Sequence, residues 1–441
     1  MFNWANKYFH LAEHQTTVRT EMLAGLTTFS TLAYALLLIP SILADAGIDF
    51  SSSLTAMAII GAFSSIVMAF LANYPFVLAP GIALAVYFTY FVVLGRGYSW
   101  EVGLGLVFLA GITLLLLNLL RIRQLIIEVI PLSIRLSTTA GLGLFLALIG
   151  LKNAGIITAH PDTLLSFGDP SSVAHAMTAL GLVAIGVMMV YRIPGAIFLG
   201  ILLVWLVSFA FGWASWKGLV SWPSSLSPTL FQLDVRGAFR QDAFSVYLSL
   251  LFVSLFDSTG TLLGLAEEGG FLEECDIPGR TCLFPRVSKA VMPDTLGTIF
   301  GSMLGVTPVA VYLESAAGIA VGGKTGLTAL TAGFLFLVAL FFAPFASSIP
   351  SFATAPALVL IGAMMLKPIT RLPWDDPSEW IPGFVTLILI PFTYSIAIGI
   401  AVGYITYCLL KLFSGKLKEV HWLSWILGAL FVLKFLLFPH S

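Results

Sequence analysis

The chain has 441 residues, of which 59% are hydrophobic and only 10% are charged, and its formal net charge is −1. Soluble globular domains carry about 25% charged residues, so this composition excludes that class and predicts a polytopic membrane protein. A net charge near zero gives no support for nucleic-acid binding. The three cysteines, Cys275, Cys282 and Cys408, are too few for a disulfide framework and match no zinc pattern, so we interpret them as free thiols.

The first residues, 1–22, are polar and amphipathic, and they lack the apolar stretch and cleavage site of a signal peptide. We predict that they form a cytoplasmic segment lying against the membrane. His10 and His14 are spaced like half of a metal site, but no partner ligands are nearby. We therefore expect a surface pair, no metal and no cofactor.

Apolar stretches follow one another along the rest of the chain. Because a span needs about 20 apolar residues, we predict fourteen transmembrane helices. The predicted spans are 23–42, 53–72, 75–94, 102–120, 131–150, 174–190, 193–213, 243–264, 287–304, 306–321, 326–345, 350–366, 381–396 and 397–414. A further apolar stretch, 422–438, follows a basic linker, and the sequence leaves open whether it crosses the membrane.

The distribution of basic residues predicts the orientation. With the N-terminus inside, cytoplasmic loops and tails carry Lys7, Arg19, Arg121, Arg123, Arg192, Arg280, Arg286, Lys289, Lys324, Lys367, Arg371, Lys411, Lys416 and Lys418. The outside loops carry only Arg96, Lys152, Lys217, Arg236 and Arg240. Since cytoplasmic loops are enriched in Lys and Arg, both ends of the fourteen-span core should be cytoplasmic, in a bacterial inner membrane.

The two halves of the chain are weakly similar. The fifth span begins IPLS at Ile130 and ends LIGLK at Lys152, and the twelfth begins IPSF at Ile349 and runs through LIG to Lys367. Seven spans per half is an odd number, so the halves must enter the membrane in opposite orientations. Inverted repeats of this kind are typical of alternating-access transporters.

The third span of each half is interrupted. The first reads FVLAPGIALAVYF, with Pro80 and Gly81, and the second reads VTPVAVYLESAAG, with Pro308 before the acid Glu314 and Gly318 after it. Proline and glycine weaken a helix, so both segments should unwind partway across the membrane. Paired interruptions indicate a transporter's substrate site. The alternative is that these residues only allow close helix packing.

Two carboxylates lie within predicted spans. Asp257, in LFVSLFDSTGTLLG, and Glu314 are each surrounded by apolar or small residues, and a charge near the bilayer centre costs at least a few kcal/mol. Both are therefore candidates for substrate binding and proton coupling. Asp257 could instead cap its helix or bind a neighbouring Ser or Thr. Asp294, Thr31 and Thr259 are further candidates for a structural or coupling role.

One soluble-protein motif also occurs. The segment GIAVGGKT, Gly318 to Thr325, formally matches the phosphate-loop pattern, but that pattern requires a strand before it and a nucleotide-binding fold around it. We therefore reject nucleotide binding.

At these residues the sequence resembles a known family. Four segments carry the resemblance: EHQTTVRTEMLAGLTTFSTLAYALLLIPSILADAG, FDSTGTLLG, YLESAAGIAVGGKTGLTA and FFAPFASSIPSFATAPALVLIGAMM. They resemble the AzgA-type purine permeases of the nucleobase–ascorbate transporter superfamily over essentially the whole chain. The resemblance implies a purine:proton symporter, usually a homodimer, with the acids at Asp257 and Glu314 contacting the base.

The resemblance also implies an all-α fold of two inverted seven-span repeats, forming a core domain and a gate domain. The predicted divisions are 1–22 for the cytoplasmic segment, 23–120 and 243–345 for the core, 121–215 and 346–414 for the gate, and 415–441 for the basic linker and apolar C-terminal segment. The predicted substrate-binding residues are Asp257, Glu314, Gly81, Ala83, Ala85 and Ser315.

The sequence departs from the family pattern at two places. The third span of the family typically reads PGMGLNAYF, so Ala85 stands where an Asn would help to hold the purine, and Ala83 replaces a Gly. Ile39 also replaces the Asn of an Asn-Pro pair in the first span. Specificity should therefore depend more heavily on Asp257, Glu314 and backbone groups, and the choice among adenine, hypoxanthine and guanine stays open.

Other functions stay open as alternatives. An anion or other-nucleobase transporter could share this fold, but an anion site would want basic groups rather than two acids. An intramembrane hydrolase could use an acid pair, although the chain lacks the usual motifs, and we predict that it is not an enzyme. A non-transporting purine receptor is the third alternative.

Overall fold

The computed structural model describes residues 3–120, 123, 131–160, 164–239, 243–271 and 287–437. Cys275 and Cys282 lie outside these ranges, whereas Cys408 is a buried free thiol. The described residues are mostly helical and include two short two-stranded sheets.

The first half contains nine helices and three strands within its described residues. They are α1 Asn3–Tyr8, α2 Val18–Leu32, α3 Ala35–Asp45, α4 Phe50–Leu71, β1 Leu78–Pro80, α5 Ile82–Val86 continued by a π-helix Tyr87–Val93, α6 Trp100–Leu119, α7 Leu132–Asn153, β2 Ile157–His160, β3 Leu164–Phe167, α8 Val173–Val190 and α9 Ala196–Ala210.

The second half follows a short 3-10 turn at Gly237–Phe239. Its elements are α10 Phe244–Glu268, α11 Val287–Ala290, α12 Met292–Leu304, β4 Val309–Val311, α13 Ser315–Ala320, α14 Gly326–Ala339, α15 Ala343–Ala346, α16 Ala355–Met364, α17 Pro377–Thr393, α18 Ile396–Phe413 and α19 Trp422–Leu437. Four further 3-10 turns lie at Leu340–Phe342, Ser351–Ala353, Lys367–Arg371 and Leu417–Glu419.

Helix length and composition agree with a polytopic membrane protein. Among the described residues, seven helices are long and apolar enough to cross a membrane, and four shorter helices are also apolar. The first span differs from the prediction because it begins at Val18 rather than residue 23 and is interrupted between Leu32 and Ala35. Pro40 lies inside α3, as it does in the predicted span 23–42, and the residues around it are buried.

The helices pack as two groups, as the inverted-repeat core and gate architecture requires. In the core, α2 and α4 pack on α14, and α12 packs on α4 and α6. In the gate, α7 packs on α16 and α17, and α17 packs on α18. The helix α10 contacts α6 in the core and both α7 and α18 in the gate. It therefore lies between the two groups.

The two interrupted segments meet as a pair of crossing strands. Strands β1 and β4 are antiparallel, with Ala79 opposite Ala310 and Pro80 opposite Val309. Each strand is followed by a short helix, α5 or α13. The prediction of broken third and tenth spans is thus confirmed in outline, but the unwound parts are strands that complete each other's hydrogen bonds. Such pairing satisfies backbone groups that would otherwise be unpaired within the membrane.

The ends of the chain dock on the helix bundle. The N-terminal segment buries Phe9 and Leu11, so it contacts the protein as well as any membrane surface. At the other end, α19 packs against α18, and the buried Lys411 amine of α18 lies 2.8 Å from the carboxylates of Glu379 and Glu419. The hairpin of β2 and β3 has no counterpart in the predicted elements.

Candidate functional site

The crossing strands create a compact polar framework between the two halves of the core. The Gly81 N–H donates to the Pro308 carbonyl over 2.9 Å, and the Tyr312 N–H donates to the Val77 carbonyl over 3.0 Å. The Tyr312 hydroxyl donates to the Pro80 carbonyl over 2.6 Å. These bonds fix the two short helices relative to each other, so the side chains at their starts have defined positions.

Glu314 stands at the start of α13, in the position that caps the helix. Its side chain is half-buried, and the preceding Leu313 is 42% exposed. The hydroxyl of Tyr34 donates a hydrogen bond to Glu314 Oε1. Tyr34 lies in the break between α2 and α3 and is itself buried.

Asp257 lies near the middle of α10 and is half-buried. It makes no hydrogen bond or ion pair with any residue in the described part of the chain. The neighbouring Ser258 hydroxyl is buried and unpartnered there too, so Asp257 is not tied to it. Tyr312 directly follows β4, which contacts α10, and stands two residues before Glu314.

The first-half candidates are closely packed. Gly81 precedes α5, and a Cβ at this position would lie 3.1 Å from the Cβ of Ala310 on the opposite strand, so glycine permits the strands to approach. Ala83 and Ala85 are buried, with 5% and 0% exposure. Ser315 is also buried, and its hydroxyl accepts the Val77 N–H over 3.0 Å. These residues shape the site, and Ser315 holds the two segments together.

Asp294 belongs to a buried ion pair, separate from the Glu314 contacts. Arg123 Nη2 lies 2.9 Å from Asp294 Oδ2, Arg123 Nη1 lies 3.2 Å from Asp294 Oδ1, and both side chains are almost fully buried. The same guanidinium donates to the Thr259 hydroxyl over 3.4 Å. The Arg123 side chain, which we predicted in a cytoplasmic loop, is buried among the helices of the bundle. Asp294 is near enough to Asp257 to interact with it electrostatically.

The remaining coupling candidate, Thr31, points back to its own helix. Its hydroxyl donates to the Thr28 carbonyl over 2.8 Å, which is an ordinary intrahelical bond. Within the described ranges, no group of three or more His, Cys, Asp or Glu side chains could hold a metal ion. His10 pairs with Glu13 over 3.0 Å at the surface.

The phosphate-loop-like segment binds a carboxylate of the protein itself. The fully buried Glu21 of α2 accepts the N–H groups of Lys324 and Thr325, over 2.9 and 3.2 Å, and the Thr328 hydroxyl over 2.6 Å. The backbone donors that such a loop would offer to a phosphate are therefore occupied by a side chain from the first span.

Sequence reasoning missed Tyr34, Tyr312 and Arg123. Tyrosines are common in apolar spans, and no spacing rule distinguished these two from packing residues. Tyr312 stands two residues before Glu314, within the interrupted segment, which was the available signal. For Arg123, the signal was an unpaired Asp294 in a span, because a buried acid requires a partner.

Comparisons with known proteins place the chain in a family. The xanthine/uracil permease model, described as "Permease family", matches residues 19–402. A putative permease of Methanocaldococcus jannaschii is 42% identical over 99% of both chains. The adenine permease AdeP of Escherichia coli is 39% identical, over 97% of this chain and 95% of its own. The guanine/hypoxanthine permease PbuO of Bacillus subtilis is 36% identical, over 97% and 99%.

Solved structures with the same fold are more distant in sequence. The transmembrane domain of the cyanobacterial bicarbonate transporter BicA superposes with a TM-score of 0.63 at 15% identity, covering 87% of this chain and 96% of that domain. The SLC26A9 structure superposes with a TM-score of 0.65 at 14% identity, covering 94% of this chain and 67% of that one. At these identities the likeness concerns the fold alone. The family match and the relatives above 30% identity together confirm the predicted resemblance: the chain belongs to the xanthine/uracil permease family of the nucleobase–ascorbate transporter superfamily.

Proposed function

We propose that this permease imports purine nucleobases by proton symport with alternating access. The observation that carries the proposal is the pair of half-buried carboxylates at the crossing strands: Asp257 has no partner among the described residues, and Glu314 has one side-chain partner, the Tyr34 phenol. The relatives named as adenine and guanine/hypoxanthine permeases support a purine as the ligand.

Recognition follows from the hydrogen-bonding capacity of Glu314. A carboxylate has about four acceptor sites, and Tyr34 occupies one of them, so Glu314 can accept two N–H bonds from one edge of a purine. Charge-assisted bonds of this kind are roughly twice as strong as neutral ones. With Ala85 in place of an amide side chain, unpaired backbone groups at the start of α5 are the first-half donors available to the base.

Of the two acids predicted for proton coupling, Asp257 and Glu314, we assign the proton to Asp257 because of the charges around it. The negative charge of Asp294 is balanced by Arg123, whereas Asp257 has no counter-charge within the described chain. Burial penalises an uncompensated carboxylate, so closing the site around Asp257 favours its neutral form. Binding of a proton would therefore make the loaded site less costly to occlude.

Alternating access would then move the core against the gate. Asp257 lies on α10, which contacts helices of both the core and the gate. Its protonation would therefore change the charge close to the interface along which the core and the gate move. A shared fold with bicarbonate and anion transporters leaves anion transport as the competing candidate. Two carboxylates at the crossing strands disfavour an anion, since like charges repel at low dielectric.

Uptake into inside-negative proteoliposomes tests the proposal. We expect labelled adenine, hypoxanthine or guanine to accumulate when the exterior is more acidic than the interior, and to equilibrate without accumulation when both the pH gradient and the membrane potential are dissipated. Labelled bicarbonate and uracil serve as competing substrates. Accumulation of bicarbonate alone would favour the anion transporter, and saturable purine binding without any uptake would favour a receptor.

Glu314→Gln tests the site within the same assay. Replacing one oxygen by an amide donor removes the charge-assisted acceptor, and we expect purine uptake to fall by roughly tenfold or more. Glu101→Gln, at the start of α6 and away from the crossing strands, is the matched control and should retain wild-type uptake. Equal uptake by the two variants, at equal protein in the membrane, would remove Glu314 from the substrate site.

A further inference from the structure

A groove lies where the N-terminal segment crosses the end of α4. Its volume is about 480 Å³, and its lining includes Trp4, Lys7, Tyr8, His10, Asn73 and Lys289. This volume is within the usual range of small-molecule sites, about 300–1,000 Å³. We refer to it as the N-terminal groove.

Specific contacts hold the walls of the groove in place. The Tyr8 hydroxyl donates to the Phe70 carbonyl over 3.1 Å, and the Asn73 amide donates to the Phe9 carbonyl over 3.2 Å. The rings of Trp4 and Tyr8 stack at 5.5 Å. Since Phe9 is fully buried, the segment is anchored on the bundle, and the groove does not depend on a loosely held tail.

The charges of the groove are positive and unpaired. Lys7 and Lys289 come from opposite halves of the chain and are both exposed, and neither forms an ion pair with a residue that the structure describes. The acid nearest in sequence, Glu13, is 74% exposed and engages the ring of His10. The amines of Lys7 and Lys289 therefore line the same groove without a carboxylate from its described lining.

The rim of the groove is apolar and aromatic. Trp4 is 57% exposed, Tyr8 is 41% exposed, and Phe70 and Leu71 are each 39% exposed. Aromatic side chains of this kind concentrate at the membrane–water interface, and basic pockets at the cytoplasmic ends of spans bind anionic lipid headgroups. A ligand with both a phosphate and hydrocarbon chains matches the basic floor and the apolar rim together.

We propose that the N-terminal groove binds the phosphate headgroup of an anionic phospholipid from the leaflet on the predicted cytoplasmic side. Lys7 and Lys289 supply the charge that attracts the phosphate, and Trp4 and Tyr8 contact the glycerol and upper acyl region. This lipid site is independent of the transported substrate.

The test measures lipid binding directly. Delipidated protein is titrated with phosphatidylglycerol and, separately, with phosphatidylcholine, and bound lipid is counted by native mass spectrometry. The wild-type protein should prefer phosphatidylglycerol, and the double variant Lys7→Gln/Lys289→Gln should lose affinity by roughly 30-fold, since each surface lysine contributes about a fivefold factor. Lys324→Gln/Lys367→Gln removes the same charge from exposed positions outside the groove and should bind like the wild type.

Two further outcomes discriminate the ligand source. Glycerol 3-phosphate that displaces the lipid and binds equally well would identify a soluble phosphate ligand and overturn the lipid proposal. An equal loss of phosphatidylglycerol affinity in both double variants would show that the lipid responds to general surface charge, and it would overturn the proposed site in the N-terminal groove. A second measurement guards against misfolding: phosphatidylglycerol should raise the thermal unfolding midpoint of the wild type but not of Lys7→Gln/Lys289→Gln, whose midpoint without lipid should be unchanged.

Discussion

The contact between Tyr34 and Glu314 joins two residues that are far apart in the sequence and lie at two separate helix breaks. Tyr34 stands where α2 gives way to α3, and Glu314 stands where β4 turns into α13. A buried tyrosine ring has few rotamers, so its hydroxyl points in a defined direction. The charge-assisted hydrogen bond from this hydroxyl therefore holds the carboxylate in one orientation. The phenol therefore pre-orients the group that we assign to substrate binding.

Tyr34→Phe should weaken substrate binding without removing transport. The substitution deletes one charge-assisted hydrogen bond while keeping the ring, so we expect the KM for purine uptake to rise by roughly three- to tenfold with little change in maximal rate. Tyr247→Phe is the control, since its hydroxyl bonds Thr113 over 2.7 Å outside the site. An unchanged KM for Tyr34→Phe would mean that Glu314 is oriented by other groups.

At the residue scale, the sequence predicted the acids but not their partners. Asp257 and Glu314 stand out because charge is rare in apolar spans, and that signal needs no structure. Tyr34, the partner of Glu314, and Arg123, the partner of Asp294, are distant in sequence from the acids that they contact, and only tertiary packing brings them near. The interruption at residues 33 and 34 also has no proline or glycine, so composition gave no reason to expect it.

The buried acid Glu21 connects the first span to the loop that precedes α14. Glu21 joins α2 to the N-terminal end of α14: it accepts the N–H groups of Lys324 and Thr325 just before the helix and the Thr328 hydroxyl in its first turn. The positive end of the helix dipole also favours a carboxylate there. Gly318 and Gly323 pack against the backbone and side chain of Ala24, so the loop has no space for larger residues. The glycine-rich pattern is thus explained by close packing of the first span against this loop.

Glu21→Ala should destabilise the protein because it leaves those donors unsatisfied. Each buried unsatisfied donor costs about 1–3 kcal/mol, so the thermal unfolding midpoint in detergent should fall by several degrees. Glu21→Gln retains an acceptor and should lie between Glu21→Ala and the wild type. Glu13→Ala, at an exposed position, should have no effect on the midpoint. A midpoint for Glu21→Ala equal to that of Glu13→Ala would show that water replaces the carboxylate.

The four short strands could not be predicted from the sequence. Prolines and glycines predicted that two spans would unwind, but three-residue strands such as β1 and β4 carry no periodicity of their own. Their pairing depends on the opposite segment being present at the same depth. The hairpin of β2 and β3 was missed for a similar reason, because each of its strands has only four residues.

For the whole molecule, the inverted repeat has a physical counterpart in two contacts between equivalent segments. Antiparallel β1 and β4 come from the third and tenth spans, and an antiparallel pair has local two-fold symmetry. In the gate, α7 and α16 correspond to the predicted fifth and twelfth spans, which are equivalent in the two halves, and Gly143 of α7 faces Gly362 of α16. A Cβ on Gly143 would approach the Gly362 carbonyl to 2.5 Å, and a Cβ on Gly362 would meet the Gly143 carbonyl in turn. Both contacts join equivalent segments of the two halves, as a pseudo-two-fold axis relating the repeats requires.

This reciprocity makes a prediction about the gate. Because each glycine lets α7 approach α16, Gly143→Ala and Gly362→Ala should each force the helices apart and cost about 1–3 kcal/mol. We expect both variants to lower the thermal unfolding midpoint to a similar degree, since they disrupt the same contact from opposite sides. Gly186→Ala, in α8, is the matched control: nothing lies within 4 Å of its added Cβ, and the better helix propensity of alanine should leave stability unchanged or slightly raised. If Gly143→Ala behaves like Gly186→Ala, the helices can separate at no cost, and the close contact at the axis does not hold the gate together.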